Sequence, residues 1–382
     1  MNRITGVYDI STTLGESVRA FVPHPLPPAD PPLDLASLAD LNQQAELALA
    51  RLSGVSGLAP SVDWLLYGAL RKEALLTSQI EGTQATLADL FDEEAGLKVV
   101  NTDDVAEVSN YLRAFRLVRE QLRDPMGLPI SVRLLCDAHR LLLDGARGAG
   151  KQPGQLRRSQ NWIGGSRPGN AAFVPPPPQQ VAQLLAALER FIHAEPGHLA
   201  PLIRIALIHA QFETIHPFLD GNGRIGRLLI AVLLEHWGLL AEPLMYLSGY
   251  LKEHQAEYYR HLSAIRTGGD WESWVAFFLR GVAAAAAQAE RSVIAIASLI
   301  AADRIKLLQS PKASPASYRL FELLPMMPRF TVDRVRQQLR TSFPTANAAV
   351  QVLQQLGIVA EVTGQKKNRS YSYQAYADLL AR

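Results

Sequence analysis

The chain has 382 residues, enough for two or three domains, with 38 Lys and Arg against 36 Asp and Glu, a net charge of +2, and 48% hydrophobic residues. That is the composition of an ordinary globular protein, and it excludes a partner chosen by bulk charge alone. One cysteine, Cys136, excludes an internal disulfide framework and fits a reducing compartment.

The N-terminus lacks an apolar h-region, and no run approaches the ~18 apolar residues of a membrane span, so a soluble, cytoplasmic protein with no membrane partner is expected. The first thirty-odd residues end in PHPLPPADPPLD, which cannot be helix interior and is expected to lie extended on the surface. Apolar periodicity predicts helices between Leu35 and Leu76, broken at SGVSGLAPS, then over Val105–Leu122 and Ser131–Leu143. Around Trp162-Ile163 and Ala171–Val174, two short apolar pieces flank GGSRPGN, and four prolines follow. That order predicts a hairpin whose pairing the prolines end.

Helices are expected again over Val181–His193 and over Leu202 to about Glu213, the latter apolar at nearly every position and so buried all round. Further helices are predicted over Arg224–Trp237, Lys252–Arg266, Trp271–Val282 and Ala283–Leu308. After the linker SPKASPAS, residues 315–382 carry nine Lys and Arg and four Asp and Glu, a local charge of +5 against −3 for residues 1–314. Three helices are predicted there, Ser317–Leu324, Thr331–Arg340 and Thr345–Leu356, with Thr331 and Thr345 as N-caps and Gly357 as the stop. A hairpin of Ile358–Val362 and Ser370–Tyr373 around TGQKKNR follows.

This C-terminal pattern resembles a winged helix-turn-helix. Asn347 and Gln351 could touch base edges, and Lys366, Lys367 and Arg369 could reach phosphates. DNA binding, a protein-interaction or dimerisation module giving a homodimer, and a merely solvated basic face all remain open for it.

The densest polar cluster is TIHPFLDGNGRIGRLL at 214–229, at the mouth of an apolar helix. Gly221-Asn222-Gly223 ahead of that helix makes an anion site, because backbone N–H groups and the helix dipole converge there. Arg224 and Arg227, three apart, share one face of the first turn. Cations sit unfavourably at that end, so an anion with several charges, such as a polyphosphate, is implied. Asp220 beside the same nest would repel phosphate unless a hard cation lay between them, as Mg2+ does. His216 precedes it and is suited to take a proton from an attacking hydroxyl. A metal pair of His209 and His216 is disfavoured, since His-Pro breaks the helix and no cysteine is near.

Residues His216 to Arg227 match every fixed position of HxFx(D/E)GNGRxxR, and on that motif the chain resembles the Fic family. QNWIGGSRPGNAAFVPPP (160–177) and LSGYLKEHQAEYYRHLSAIRTGGDWESWVAFFL (247–279) extend the likeness, which is strong over residues 60 to 282. It implies a mainly α fold: a helical core with a short β-hairpin flap, followed by the winged helix-turn-helix. The implied domains are an N-terminal helical region (1–128), a catalytic core (129–282), a helix and linker (283–314) and the C-terminal module (315–382).

The implied activity is transfer of AMP from ATP to a Tyr, Thr or Ser hydroxyl of a target protein or of the chain itself. His216 would be the base, Asp220 the Mg2+ ligand, and Gly221, Asn222 and Gly223 the anion hole. Arg224 and Arg227 would contact the outer phosphates. Tyr258 and Tyr259 match a pair beside adenine, or simply pack. Ala171, Ala172, Phe173 and Val174 would form the flap, pairing with the target as an added strand. Gly223 stands where the family's kinase-like branch has Lys, which argues against that chemistry.

Upstream, LLTSQIEGTQATL reads as a helix ending at Gly82, which leaves Glu81 at the negative end of the dipole. Thr77 to Gly82 also matches the family's inhibitory motif, (S/T)xxxE(G/N). The resemblance then implies that Glu81 pairs with Arg227, blocks the γ-phosphate and inhibits in cis. Two alternatives are carried beside this reading: a DNA-binding regulator whose core senses a nucleotide, and an enzyme that removes AMP.

Overall fold

The computed structural model describes residues 3–145, 148, 150–365 and 369–381. The first element is an antiparallel hairpin of β1 (Gly6–Thr13) and β2 (Glu16–Pro23), with Ile10 opposite Arg19. No strand is expected here from the sequence. The turn is Leu14-Gly15, both at positive φ, rather than the Asn-Gly that marks such turns. α1 (Leu35–Val55) follows the proline-rich stretch, capped by Asp34, whose carboxylate accepts from the Ser37 N–H. α2 (Val62–Ile80) starts at a Ser61 cap and ends at Glu81, and Gly82 takes the positive φ (+99°) expected of the residue after such an end. α3 (Leu87–Glu94), α4 (Thr102–Arg123) and α5 (Val132–Leu142) complete the first half.

α6 (Pro178–His193) leads to α7 (Pro201–Ile215), in which every residue from Leu202 to Ile215 is buried, as its unbroken apolarity predicts. α8 (Asn222–His236) packs against α7. The single helix expected over 252–266 is two, α9 (Leu247–Glu253) and α10 (Gln255–Gly268), with His254 ending one and starting the other. Conversely, the two helices expected after Trp271 are one, α11 (Trp271–Leu308), 38 residues long. The alanines at 283–287 join the two halves, because alanine is the best helix former and no cap or proline interrupts. Among the described residues α11 alone is long and apolar enough to cross a bilayer, although no apolar run in the sequence suggested one. It packs on α1, α7 and α9.

The remaining elements are α12 (Pro315–Leu323), β3 (Arg329–Thr331), α13 (Val332–Leu339), α14 (Phe343–Gln355), β4 (Ala360–Glu361), β5 (Ser370–Ser372) and α15 (Gln374–Ala381). Their sheet has the order β3-β5-β4. Thr331 caps α13 as expected, but α14 is capped by Ser342, whose hydroxyl accepts from the Thr345 N–H. Thr345 is already inside the first turn, where Pro344 is tolerated. Gln351 and Arg369 are exposed and Asn347 is half-buried, while Lys366 and Lys367 lie outside the described residues. Neither β3 nor α15 was expected. α15 docks on α2: the Tyr376 hydroxyl donates to the Trp64 carbonyl at 3.1 Å, and Leu380 lies against Gly68.

Candidate active site

The loop between α7 and α8 carries the polar cluster. His216 ends α7 in the left-handed conformation (φ 49°, ψ 62°), and Gly221 starts α8 at φ 76°. Three side chains hold the loop between them. Asn222 receives the Phe218 N–H on its Oδ1 and donates Nδ2–H to the Phe218 carbonyl, both at 2.8 Å. Arg157, 2% exposed, donates to the carbonyls of His216 (2.8 Å) and Pro176 (2.5 Å). His139 accepts the Gly154 N–H on Nδ1 at 2.9 Å, so its proton sits on Nε2, which meets the Asp220 carbonyl at 3.0 Å. The His139 ring also stacks on Phe218 at 3.8 Å.

The Asn222 side chain is therefore committed to the loop, and only its backbone can serve an anion. In the first turn of α8 the N–H groups of Asn222 and Gly223 have no intrahelical acceptor. The Gly221 N–H already meets Asp220 Oδ1 at 2.6 Å.

These groups face a cavity of about 590 Å³. His216 is half-buried on its wall, with Nδ1 buried and unpartnered. Burial, then the charge of Arg157, pull its pKa down to about 4 against the Glu213 carbonyl and the Glu81 carboxylate, so the ring is neutral at pH 7. Asp220 has a side chain 43% exposed and an oxygen 3.5 Å from Arg224. Among the described residues no three His, Cys, Asp or Glu side chains are grouped to hold a metal. One open carboxylate fits Mg2+ only where phosphate oxygens and water complete the set. Arg224, 3% exposed, is held from behind by Glu107 at 3.3 Å, and Glu107 also accepts the Thr83 hydroxyl at 3.0 Å.

The cavity is also aromatic and apolar in part. Tyr259 lies 47% exposed on its wall. Tyr258 is 1% exposed, with its hydroxyl 2.8 Å from His209 Nε2, so packing is its main work. The expected flap hairpin reduces to one bridge, Ile163 with Phe173 (2.8 and 3.1 Å), around a Pro168–Asn170 turn. Ala172 and Phe173 line the cavity, whereas Val174 and Ala171 turn to Val18 and Ala20 of β2. The Val174 carbonyl accepts the Phe21 N–H at 2.9 Å. The flap is thus braced from outside by a hairpin that sequence reading missed.

The end of α2 closes the phosphate side. Arg227, whose side chain is 2% exposed, donates Nη2–H to Glu81 Oε1 at 2.5 Å and to the Thr77 carbonyl at 3.1 Å, and Nε–H to Thr77 Oγ1 at 2.6 Å. Burial would raise the Glu81 pKa, but Arg227 outweighs it and holds the carboxyl below the ordinary range. Gly223 makes the approach possible, since a Cβ there would run into Glu81 Oε1. Glu81 and Thr77 therefore both meet Arg227. No motif or spacing marks His139, Arg157, Glu107 or Glu213 as site residues in advance.

Two family models match the chain, Fic/DOC family N-terminal over residues 39–120 and Fic/DOC family over residues 129–234. Among curated proteins it is similar to the protein adenylyltransferase Fic of Drosophila ananassae, 29% identical over 208 residues, which are 53% of this chain and 38% of the relative. The Drosophila melanogaster protein of the same name is 28% identical over 205 residues, 52% of this chain and 37% of the relative. The aligned part thus spans under two fifths of those relatives' length. The fold is similar to that of a Fic family protein from Desulfovibrio desulfuricans G20 (TM-score 0.57, 20% identity, 88% of this chain and 95% of that one). It is also similar to a Fic domain containing signaling protein from Bacteroides thetaiotaomicron (TM-score 0.54, 18% identity, 67% and 97%).

Proposed function

The chain belongs to the Fic/DOC family, and from that premise we propose that it is a protein adenylyltransferase held inactive by its own Glu81. The observation that carries the proposal is the meeting, on one cavity, of a neutral His216, the open N-terminus of α8 and Arg227 capped by a carboxylate. In this reading the triphosphate of ATP lies over the first turn of α8, with Arg227 on its outer phosphate. His216 takes the proton of a Tyr, Thr or Ser hydroxyl on the target. The oxygen attacks the α-phosphorus, the α–β phosphoanhydride bond breaks, and pyrophosphate leaves. Asp220 would hold Mg2+, which supplies positive charge against the phosphate oxygens. Arg224, backed by Glu107, adds a second cation.

Glu81 occupies the guanidinium that an outer phosphate would otherwise engage, so ATP cannot seat with its α-phosphate in line. Residues 1–128 then carry the inhibitory helix and residues 129–282 the catalytic core. Residues 315–382 are read as a winged-helix module, supported by helices α12, α13 and α14 and the three-stranded sheet. The test is to offer labelled nucleoside triphosphates to the Glu81→Gly protein in cell extract and map the modified residue by mass spectrometry. Label appearing on no protein would reject the proposal.

A second reading is favoured by the one-third exposure of the Glu81 side chain on the cavity wall, which lets its carboxylate position a water. The wild type would then release AMP from adenylylated protein in the absence of ATP. A stable label under those conditions would exclude it.

A further inference from the structure

Glu213 stands on α7 one turn before His216, 9% exposed, and it lines the cavity. Its Oε1 is buried with no hydrogen-bond partner. Buried acceptors are nearly always paired, so an orphan carboxyl oxygen on a residue that lines a cavity marks a carboxyl still open to a donor. The two arginines that act on it at longer range are engaged elsewhere. Arg227 is held by Glu81 and Thr77, and the Arg266 guanidinium lies over the Phe173 ring at 3.9 Å.

The carboxyl has room only because residue 226 is glycine: a Cβ there would lie 2.5 Å from Oε1. The nucleotide-transfer motif leaves position 226 free, so the match to it does not account for this pairing of Glu213 with Gly226. The cavity also combines polar and aromatic walls. It is lined by the turn from Asp220 to Gly223 and by Arg227, and also by Phe173, Tyr259, Leu262 and Arg266. A nucleotide with its phosphates on the turn places its nucleoside in the rest of the cavity, whose wall includes Glu213.

We infer that Glu213 is a specificity-determining residue whose carboxyl oxygen accepts a hydrogen bond from a donor on the nucleoside half of the nucleotide. This rests on the nucleotide-transfer reading of the same cavity. The donor is either an amino group on the base or a hydroxyl on the sugar. Burial, opposed by Arg227, lifts the Glu213 pKa to about 7, and the carboxyl keeps an acceptor oxygen in either protonation state.

The test uses the full chain carrying Glu81→Gly, with Glu213→Leu, Glu213→Gln or Gly226→Ala added. Binding by calorimetry and transfer by label incorporation are measured with ATP, 2′-deoxy-ATP, 3′-deoxy-ATP and the triphosphate of purine riboside, which lacks the amine. In the parent, one analogue should bind at least tenfold more weakly than ATP, and which one it is identifies the donor. Glu213→Leu should weaken ATP at least tenfold and no longer distinguish that analogue. Glu213→Gln, which still accepts, should keep the distinction, and Gly226→Ala, which displaces the carboxyl, should blunt it.

A parent that binds all four alike overturns the inference, as does unchanged discrimination in Glu213→Leu and Gly226→Ala. If the parent binds ATP but transfers nothing, the transfer reading fails while the discrimination is still read from binding. If no nucleotide binds, both fail.

Discussion

Replacing Glu81 with glycine should make the protein more active, and the structure sets the size of the gain. The Glu81–Arg227 contact is a 2.5 Å hydrogen bond between charged groups, with the guanidinium side chain 2% exposed and the carboxylate side chain 34% exposed. Hydrogen bonds to charged groups contribute about 1.5–3 kcal/mol, and the water around Glu81 argues for the low end. ATP has to displace that bond before Arg227 can hold an outer phosphate. Removing about 1.5 kcal/mol of competition raises productive binding by roughly tenfold. Thr77 still accepts from Arg227 after the change and keeps the guanidinium in place, so the clamp survives without its lock. The assay is incorporation of labelled AMP into the protein itself at saturating ATP and Mg2+. Arg227→Ala should not activate, and Glu81→Gly/Arg227→Ala should be as slow as Arg227→Ala alone. A Glu81→Gly protein no faster than wild type, with ATP and Mg2+ saturating, would refute the reasoning.

The remaining predictions concern the base, the metal and a buried acid. His216→Ala in the activated background should lower transfer by ~100- to 10,000-fold while ATP affinity, read by calorimetry, stays near the parent's. Because the His216 pKa is drawn down to about 4, chiefly by burial, transfer should hold its rate as pH falls through 6 and decline only near 4. An acid limb near 6.5 would contradict that environment. Asp220→Ala should lower both the rate and its dependence on Mg2+, and chelation should silence the parent, whereas activity indifferent to chelator would leave Asp220 only its contacts with Gly221 and Arg224. Glu213 is an acid whose folded pKa is raised, so the folded state binds the extra proton. Its effect is absent below about 4.5 and becomes a loss of stability as pH rises to about 7, levelling off above it. Glu213→Gln should remove a pH-dependent loss of about 3 kcal/mol across that window, measured by denaturant unfolding at several pH values. Parallel stability–pH curves for parent and variant would show that the carboxyl is not buried as described.

The sequence by itself determined what is local. His216 to Arg227 are contiguous, so helix geometry alone puts Arg224 and Arg227 on one face above the anion nest, and the glycine and the His-Pro step fix the turn. The buried helix from Leu202 and the N-cap at Thr331 followed from periodicity and side-chain chemistry in the same way. Motif resemblance reached further and put Glu81 beside Arg227 across 146 residues, which spacing could not have done, while the Thr77 bonds to the same guanidinium emerged only from the structure. Local reasoning failed where two local answers were close in energy, as at the join that makes α11 one helix and the break that makes α9 and α10 two.

Everything else was decided by tertiary structure. Arg157 and His139 lie 59 and 81 residues from the carbonyls they hold. The β2 brace against Val174, Glu107 behind Arg224 and α15 against α2 are likewise long-range. So is the direction in which the Asn222 and Glu213 side chains point. A hydrogen bond or a buried charge depends on which atoms face one another once the chain has closed, and a donor and acceptor far apart in sequence leave no periodicity or spacing to announce the pair.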